Sequence, residues 1–78
     1  MSMFHELKIL PEHFEPVLAG LKLAELRLND RNFKVDDTLC LREYKNGEYT
    51  GRIVYRRVIH VADVSAYLPG YVLLSMED

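Results

Sequence analysis

The stretch GLKLAELRLNDR, Gly20 to Arg31, changes phase partway along. Leu21 and Leu23 alternate with Lys22, while Leu26 and Leu28 alternate with Glu25 and Arg27. The alternation slips by one residue at Ala24–Glu25. Upstream, Pro11 to Gly20 reads as a helix. Proline suits the first helical position, where its missing N–H would have no intrahelical partner. Glu12 faces the positive end of the helix dipole. Phe14, Val17, Leu18 and Leu21 give one apolar face. Pro16 sits early enough to tighten or kink a turn. Gly20 is the expected left-handed C-cap. The slip therefore marks the passage from helix cap to strand, with the strand proper beginning near Leu23.

Outward from this stretch the pattern is of strands. Phe4 to Leu10 alternates, with Leu7 and Ile9 set against Glu6 and Lys8. Downstream, VDDTLCLREY carries a turn at Asp36–Asp37 and a strand through Leu39 and Leu41. Asn46-Gly47 is a hairpin signal. RIVYRRVIHVAD is the longest strand, LPG turns, and YVLLSME closes the sheet. One N-terminal helix and five or six mostly antiparallel strands define an α+β chain that is mainly β. Its expected architecture is a small closed or half-closed barrel with the helix packed on it. Closure also removes sheet edges that would otherwise invite association.

The 78 residues read as a single domain, residues 1–78, with 49% hydrophobic and 28% charged residues. A domain of this size has a thin core. The net charge of −2 argues against wholesale coating of nucleic acid but allows a local basic patch. The single cysteine, Cys40, permits no internal disulfide and reads as a buried apolar residue. MSMFHELKIL carries charges where a signal peptide has its apolar run, and no apolar stretch reaches bilayer length. These features predict a cytoplasmic chain with no membrane partner.

The candidate chemistry lies at the slip. Lys22 on the connecting turn and Glu25 and Arg27 two apart on one strand face can converge on a cleft. Spacing alone equally fits a solvated strand face with an ion pair worth about 0–1 kcal/mol. Arg42, Lys45, Arg52, Arg56 and Arg57, with Tyr44, Tyr49, Tyr55 and Phe33, are the types used to bind single strands. Alternation nevertheless puts Arg56 and Arg57 on opposite faces. His5, His13, His60 and Cys40 lack zinc-ligand spacing, so no metal is expected. No Walker or nucleophile-elbow element is present, and no cofactor is expected.

Gly20, Lys22, Glu25 and Arg27 match the G-x-K-x-x-E-x-R signature of ASCH domains, a superfamily resembling the PUA domains of RNA-modifying enzymes. The order strand, short helix, signature and FKVDDTLCLREY also resembles that family, in particular a compact branch found in bacteria and their phages. There relatives favour a V-G-D turn, so Asp36 stands where many have glycine. The resemblance implies a PUA-like β-barrel whose cleft binds RNA or a nucleotide. Lys22 would meet a phosphate or oxyanion. Glu25 would accept from a base edge or act as a general base, its geometry fixed by Arg27. His5, Arg31, Tyr44 and Arg52 complete the expected ligand-binding set, with Lys22 and Glu25 as the catalytic pair if there is chemistry. Two alternatives stand beside binding. One is a small hydrolase acting on RNA or a modified nucleoside; the amidohydrolase branch has a threonine nucleophile where this chain has Glu25, and a carboxylate replaces it poorly. The other is a phage-derived protein-interaction adaptor, because fold alone does not fix function.

Overall fold

The computed structural model describes residues 2–78. Its elements are β1 (Phe4–Ile9), α1 (Pro11–Leu18), β2 (Ala24–Leu28), β3 (Thr38–Lys45), β4 (Glu48–Asp63) and β5 (Tyr71–Glu77). The five strands form one curled sheet in the order β1-β3-β4-β5-β2. This is the expected mainly β, half-closed barrel with one short helix. Three pairings are antiparallel, but β1 runs parallel to β3. The reason is topological. Helix α1 and β2 intervene between them, and β2 is carried to the far edge of the sheet.

The core is built by alternation. Leu7 and Ile9 from β1, Leu39 and Leu41 from β3, Val54 and Val58 from β4, and Val72, Leu74 and Met76 from β5 all point inward. Phe14 and Val17 of α1 plug the hollow of the sheet. In β4 the register shifts between Val58 and His60, which transfers the inward phase from Val58 to Val61. Cys40 is buried, as its place between two leucines predicts.

The helix ends in the way that explains the slip. The Gly20 N–H donates to Val17 O at 3.0 Å and the Leu21 N–H to Pro16 O at 2.8 Å, the two bonds of a Schellman turn. Gly20 takes φ +76° between them, and the Lys22 N–H adds a third bond, to Pro16 O at 3.0 Å. Residues 20–22 therefore belong to the cap, and the strand phase restarts at Ala24. Pro16 does not break the helix; its carbonyl anchors the cap. Gly20→Ala should cost about 1 kcal/mol in urea unfolding, because a Cβ is strained at that φ although it meets no neighbour.

Two loop residues settle the entry into β3. The turn falls at Val35–Asp36, one residue earlier than expected, and Asp36 takes φ +77°. That is the left-handed conformation for which glycine is suited. Asp37 leaves the turn and is buried at 1% exposure, accepting from the Met3 N–H and Lys34 N–H, both at 3.0 Å.

The barrel does not close. β1 and β2 are the two edges of the sheet, and they face one another across a seam. Met3 O takes the Thr38 N–H, so alternation turns the polar backbone groups of Glu6 and Lys8 away from β3, toward the seam. Leu23 O takes the Met76 N–H, which likewise turns those of Ala24 and Leu26 away from β5. Side-chain cations satisfy this exposed backbone. Arg27 donates to Lys8 O at 2.7 Å, Arg31 donates to Glu6 O, and Lys22 donates to Ala24 O. The seam is stitched by cations rather than by a strand ladder.

Candidate functional site

β2 reads outwardly like a strand with leucines inside, but the structure inverts it. Glu25 is buried at 5% exposure, whereas Leu26 and Leu28 are half exposed, at 51% and 50%. The inward phase carries Glu25 and Arg27 because the barrel interior opens into the seam at this edge. Glu25 is paired on both oxygens. Lys22 reaches Oε1 from the cap turn, and Arg27 Nε donates to Oε2 at 2.9 Å. Burying a carboxylate without partners is costly, and two cations offset that cost here.

These three side chains line a cleft of about 530 Å³. Its far wall is the β1–α1 junction, with Lys8, Ile9, Leu10 and His13, and its outer lip is Leu26 and Leu73. The cleft thus combines apolar walls with Lys8, Lys22, Arg27, His13 and one carboxylate. Lys8 Nζ lies over the Tyr44 ring at 4.6 Å. The beginning of α1 also reaches the cleft at Leu10 and His13, so the positive end of its dipole is nearby.

The expected set divides. Lys22, Glu25 and Arg27 converge as the spacing allowed. The other four do not line the cleft. His5 is neither at the surface nor at a mouth. It is 6% exposed, with Nε2 2.7 Å from Asp37 Oδ2 and its ring edge-on to Phe33 at 4.7 Å. Arg31 is spent on the seam. Tyr44 packs edge-on to Tyr49 with ring centroids 5.2 Å apart, and touches the site only through Lys8. Arg52 pairs with Glu15 at 2.7 Å and lies over Phe14, its guanidinium carbon 4.7 Å from the ring centre.

The wider basic and aromatic cluster also fails to form one patch. Arg56 faces inward and donates to Val17 O at 3.0 Å, capping the negative end of α1. Arg57 faces outward and pairs with Asp36 and Glu77. Arg42 pairs with Glu6 and stacks on Tyr49, 3.8 Å from its ring centre. Each of these arginines is committed to carboxylate or carbonyl partners on its own face. Phe33 is buried, not a stacking surface. Lys8 and His13 are the cleft residues that the sequence reading passed over. Their signal is weak, since each sits on the polar phase of its element and becomes relevant only once β1 and β2 are known to face one another.

The other two buried carboxylates, Asp37 and Glu43, have structural partners. Burial pushes the Asp37 carboxyl up, but the His5 hydrogen bond and the Met3 and Lys34 N–H groups outweigh it and hold its pKa below the ordinary value of 3.8. Glu43 is buried, accepting from Thr50 Oγ1 at 2.7 Å. Among the described residues no helix is long and apolar enough to cross a membrane, and no three His, Cys, Asp or Glu side chains are grouped to hold a metal ion.

Residues 4–76 match the family described as a domain of unknown function, DUF3850, and the chain belongs to that family. It is also similar to an uncharacterized 12.9 kDa protein in the GpA 3′ region of Escherichia phage P2. The two are 46% identical over 74 residues, which cover 95% of this chain and 68% of that protein.

Proposed function

We propose that the seam cleft is a nucleotide- or RNA-binding site of PUA-like, ASCH type, working in the cytoplasm without catalysis of its own. The carrying observation is the convergence of Lys22, Glu25 and Arg27 in one cleft of about 530 Å³. A cleft of that size takes a small ligand, and its polar groups are few and fixed. Lys22 reaches it from a turn held by three backbone bonds, so the ammonium is positioned rather than free to wander. The ASCH-like signature on these same residues supports the reading. The hydrolase reading is weaker on geometry. Both oxygens of Glu25 are already engaged by cations, leaving neither placed to take a proton from substrate.

A nuclear-resonance titration with nucleosides, nucleotides and short RNA tests this directly. Amide shifts should concentrate at Lys8–His13 and Lys22–Arg27. Lys22→Ala should weaken the ligand by about 1–3 kcal/mol, the scale of a lost charged hydrogen bond. Its melting temperature should also fall, because Glu25 stays buried with Arg27 as its one remaining cation. Unchanged binding of the ligand to the folded variant would remove Lys22 from the site.

A further inference from the structure

Where the cations are, and where they are not, bears on which part of a nucleic acid the cleft accepts. Outside the cleft, Arg42, Arg52 and Arg57 are each paired with carboxylates, and Arg56 is tied to the helix end and to Asp78. These four arginines are therefore committed to partners and do not form a track for a sugar–phosphate backbone. A chain that bound along its length would need one. Inside the cleft the balance differs. Lys22 and Arg27 face a single carboxylate, Glu25, so two cations less one anion leave a net positive charge of one at the paired centre. The start of α1 adds the positive end of a helix dipole at Leu10 and His13. The volume of about 530 Å³ holds one nucleotide rather than a run of them. The remaining walls, Ile9, Leu10, Ala24, Leu26 and Leu73, are aliphatic and offer no aromatic platform on which successive bases would stack.

From this placement we infer that the cleft is selective for a terminal phosphomonoester: one nucleotide, free or at the end of a strand, carrying a dianionic phosphate. An internal phosphodiester continues in both directions, which the volume does not accommodate. A terminal monoester carries close to two charges at neutral pH and leaves only one side of the nucleotide attached to a chain. Lys22 and Arg27 would share the phosphate with the helix end, while the aliphatic walls cover the sugar and base. This inference rests on the nucleotide or RNA reading of the cleft and narrows it to an end.

The test uses the full chain and measures binding of a nucleoside, its 5′- and 3′-monophosphates, ribose 5-phosphate, inorganic phosphate, and one short RNA with hydroxyl or phosphate ends. At least one monophosphate should bind tenfold or more tighter than the nucleoside. It should also bind more tightly than ribose 5-phosphate or inorganic phosphate. The phosphate-ended RNA should bind tenfold or more tighter than its hydroxyl-ended twin. The logarithm of the affinity should fall with the logarithm of salt with a slope of only about one to two, the mark of few phosphate contacts. Lys22→Ala should abolish the preference for phosphate, while Arg57→Ala, on the outer face, should leave it intact. If hydroxyl-ended RNA or the bare nucleoside binds equally well in the cleft, the inference fails and the broader reading survives. If ribose 5-phosphate or inorganic phosphate equals the nucleotide, the site recognises phosphate alone and the nucleotide selectivity is overturned. If no probe shifts the cleft resonances, both readings fall.

Discussion

Asp37→Ala should destabilise the domain by about 3–5 kcal/mol, the scale of leaving several buried donors without their carboxylate acceptor. The carboxylate accepts from three donors. They are His5 at 2.7 Å and the Met3 and Lys34 N–H groups at 3.0 Å each, and all lie where water does not reach the carboxyl. Truncation leaves those donors unpaired, which costs more than the bonds themselves contributed. It also unties the residue leading into β1 from the loop that enters β3, because the Met3 N–H lies just ahead of the strand and Lys34 lies in the loop. A domain of 78 residues has roughly 4–12 kcal/mol of total stability, so the variant should sit near its unfolding midpoint in mild urea. The depressed pKa gives a second readout. A carboxyl whose folded pKa lies below its unfolded value contributes stability above the ordinary value of 3.8, and that contribution is lost as pH falls through the lower, folded value. Wild-type stability should therefore fall with acid in that window. Asp37→Asn, which keeps the shape and two acceptor lone pairs, should lose less than the alanine variant and should flatten that acid limb. A loss under 1 kcal/mol for Asp37→Ala would show that the dyad is incidental.

The fold was largely legible because its determinants are local. Proline at the first helical position, glycine at the cap, Asn46-Gly47 at the hairpin and period-two apolar runs each act within a few residues. The phase slip at Ala24–Glu25 also had a local cause, the Schellman turn at Gly20. The parallel pairing of β1 with β3 was not legible, since it depends on where β2 is carried. The site was half legible for the same reason. Lys22, Glu25 and Arg27 are neighbours in sequence and converge. His5, Arg31, Tyr44 and Arg52 were chosen by residue type, and tertiary partners decided their fate. His5 is taken by Asp37, Arg31 by a β1 carbonyl, Tyr44 by Tyr49 and Arg52 by Glu15. A pattern of charges says which residues need partners but not which partners they find. Burial of Glu25 in place of Leu26 shows the limit most clearly. Hydrophobicity alone assigns the leucine to the interior, yet at a barrel edge that opens into a seam the inward position is the polar one.

Phe14→Ala should cost about 3–5 kcal/mol, the range for truncating a buried phenylalanine without collapse of the surroundings. Phe14 is 1% exposed and, with Val17, is the apolar contact by which α1 docks in the hollow of the sheet. The site cannot relax easily, because it is clamped from several sides. Arg52 lies over the ring while holding Glu15 at 2.7 Å, and lies 3.7 Å from the buried Glu43. An eight-residue helix is not stable alone, so its order derives from this docking. The consequence reaches the cleft. Leu10 and His13 form its far wall from the start of α1, and Lys22 is aimed by backbone bonds to Pro16 at the other end. The variant should therefore lose ligand binding more steeply than its fraction folded accounts for, because undocked α1 releases both walls at once. Phe14→Leu keeps an apolar side chain in the same socket and should restore most of both losses. Urea unfolding and the nuclear-resonance titration, run on the two variants side by side, separate the effects. If Phe14→Ala folds at near wild-type stability and still shows shifts at Lys22–Arg27 on adding a nucleotide, the cleft is built by the sheet edges alone, and α1 is only its neighbour.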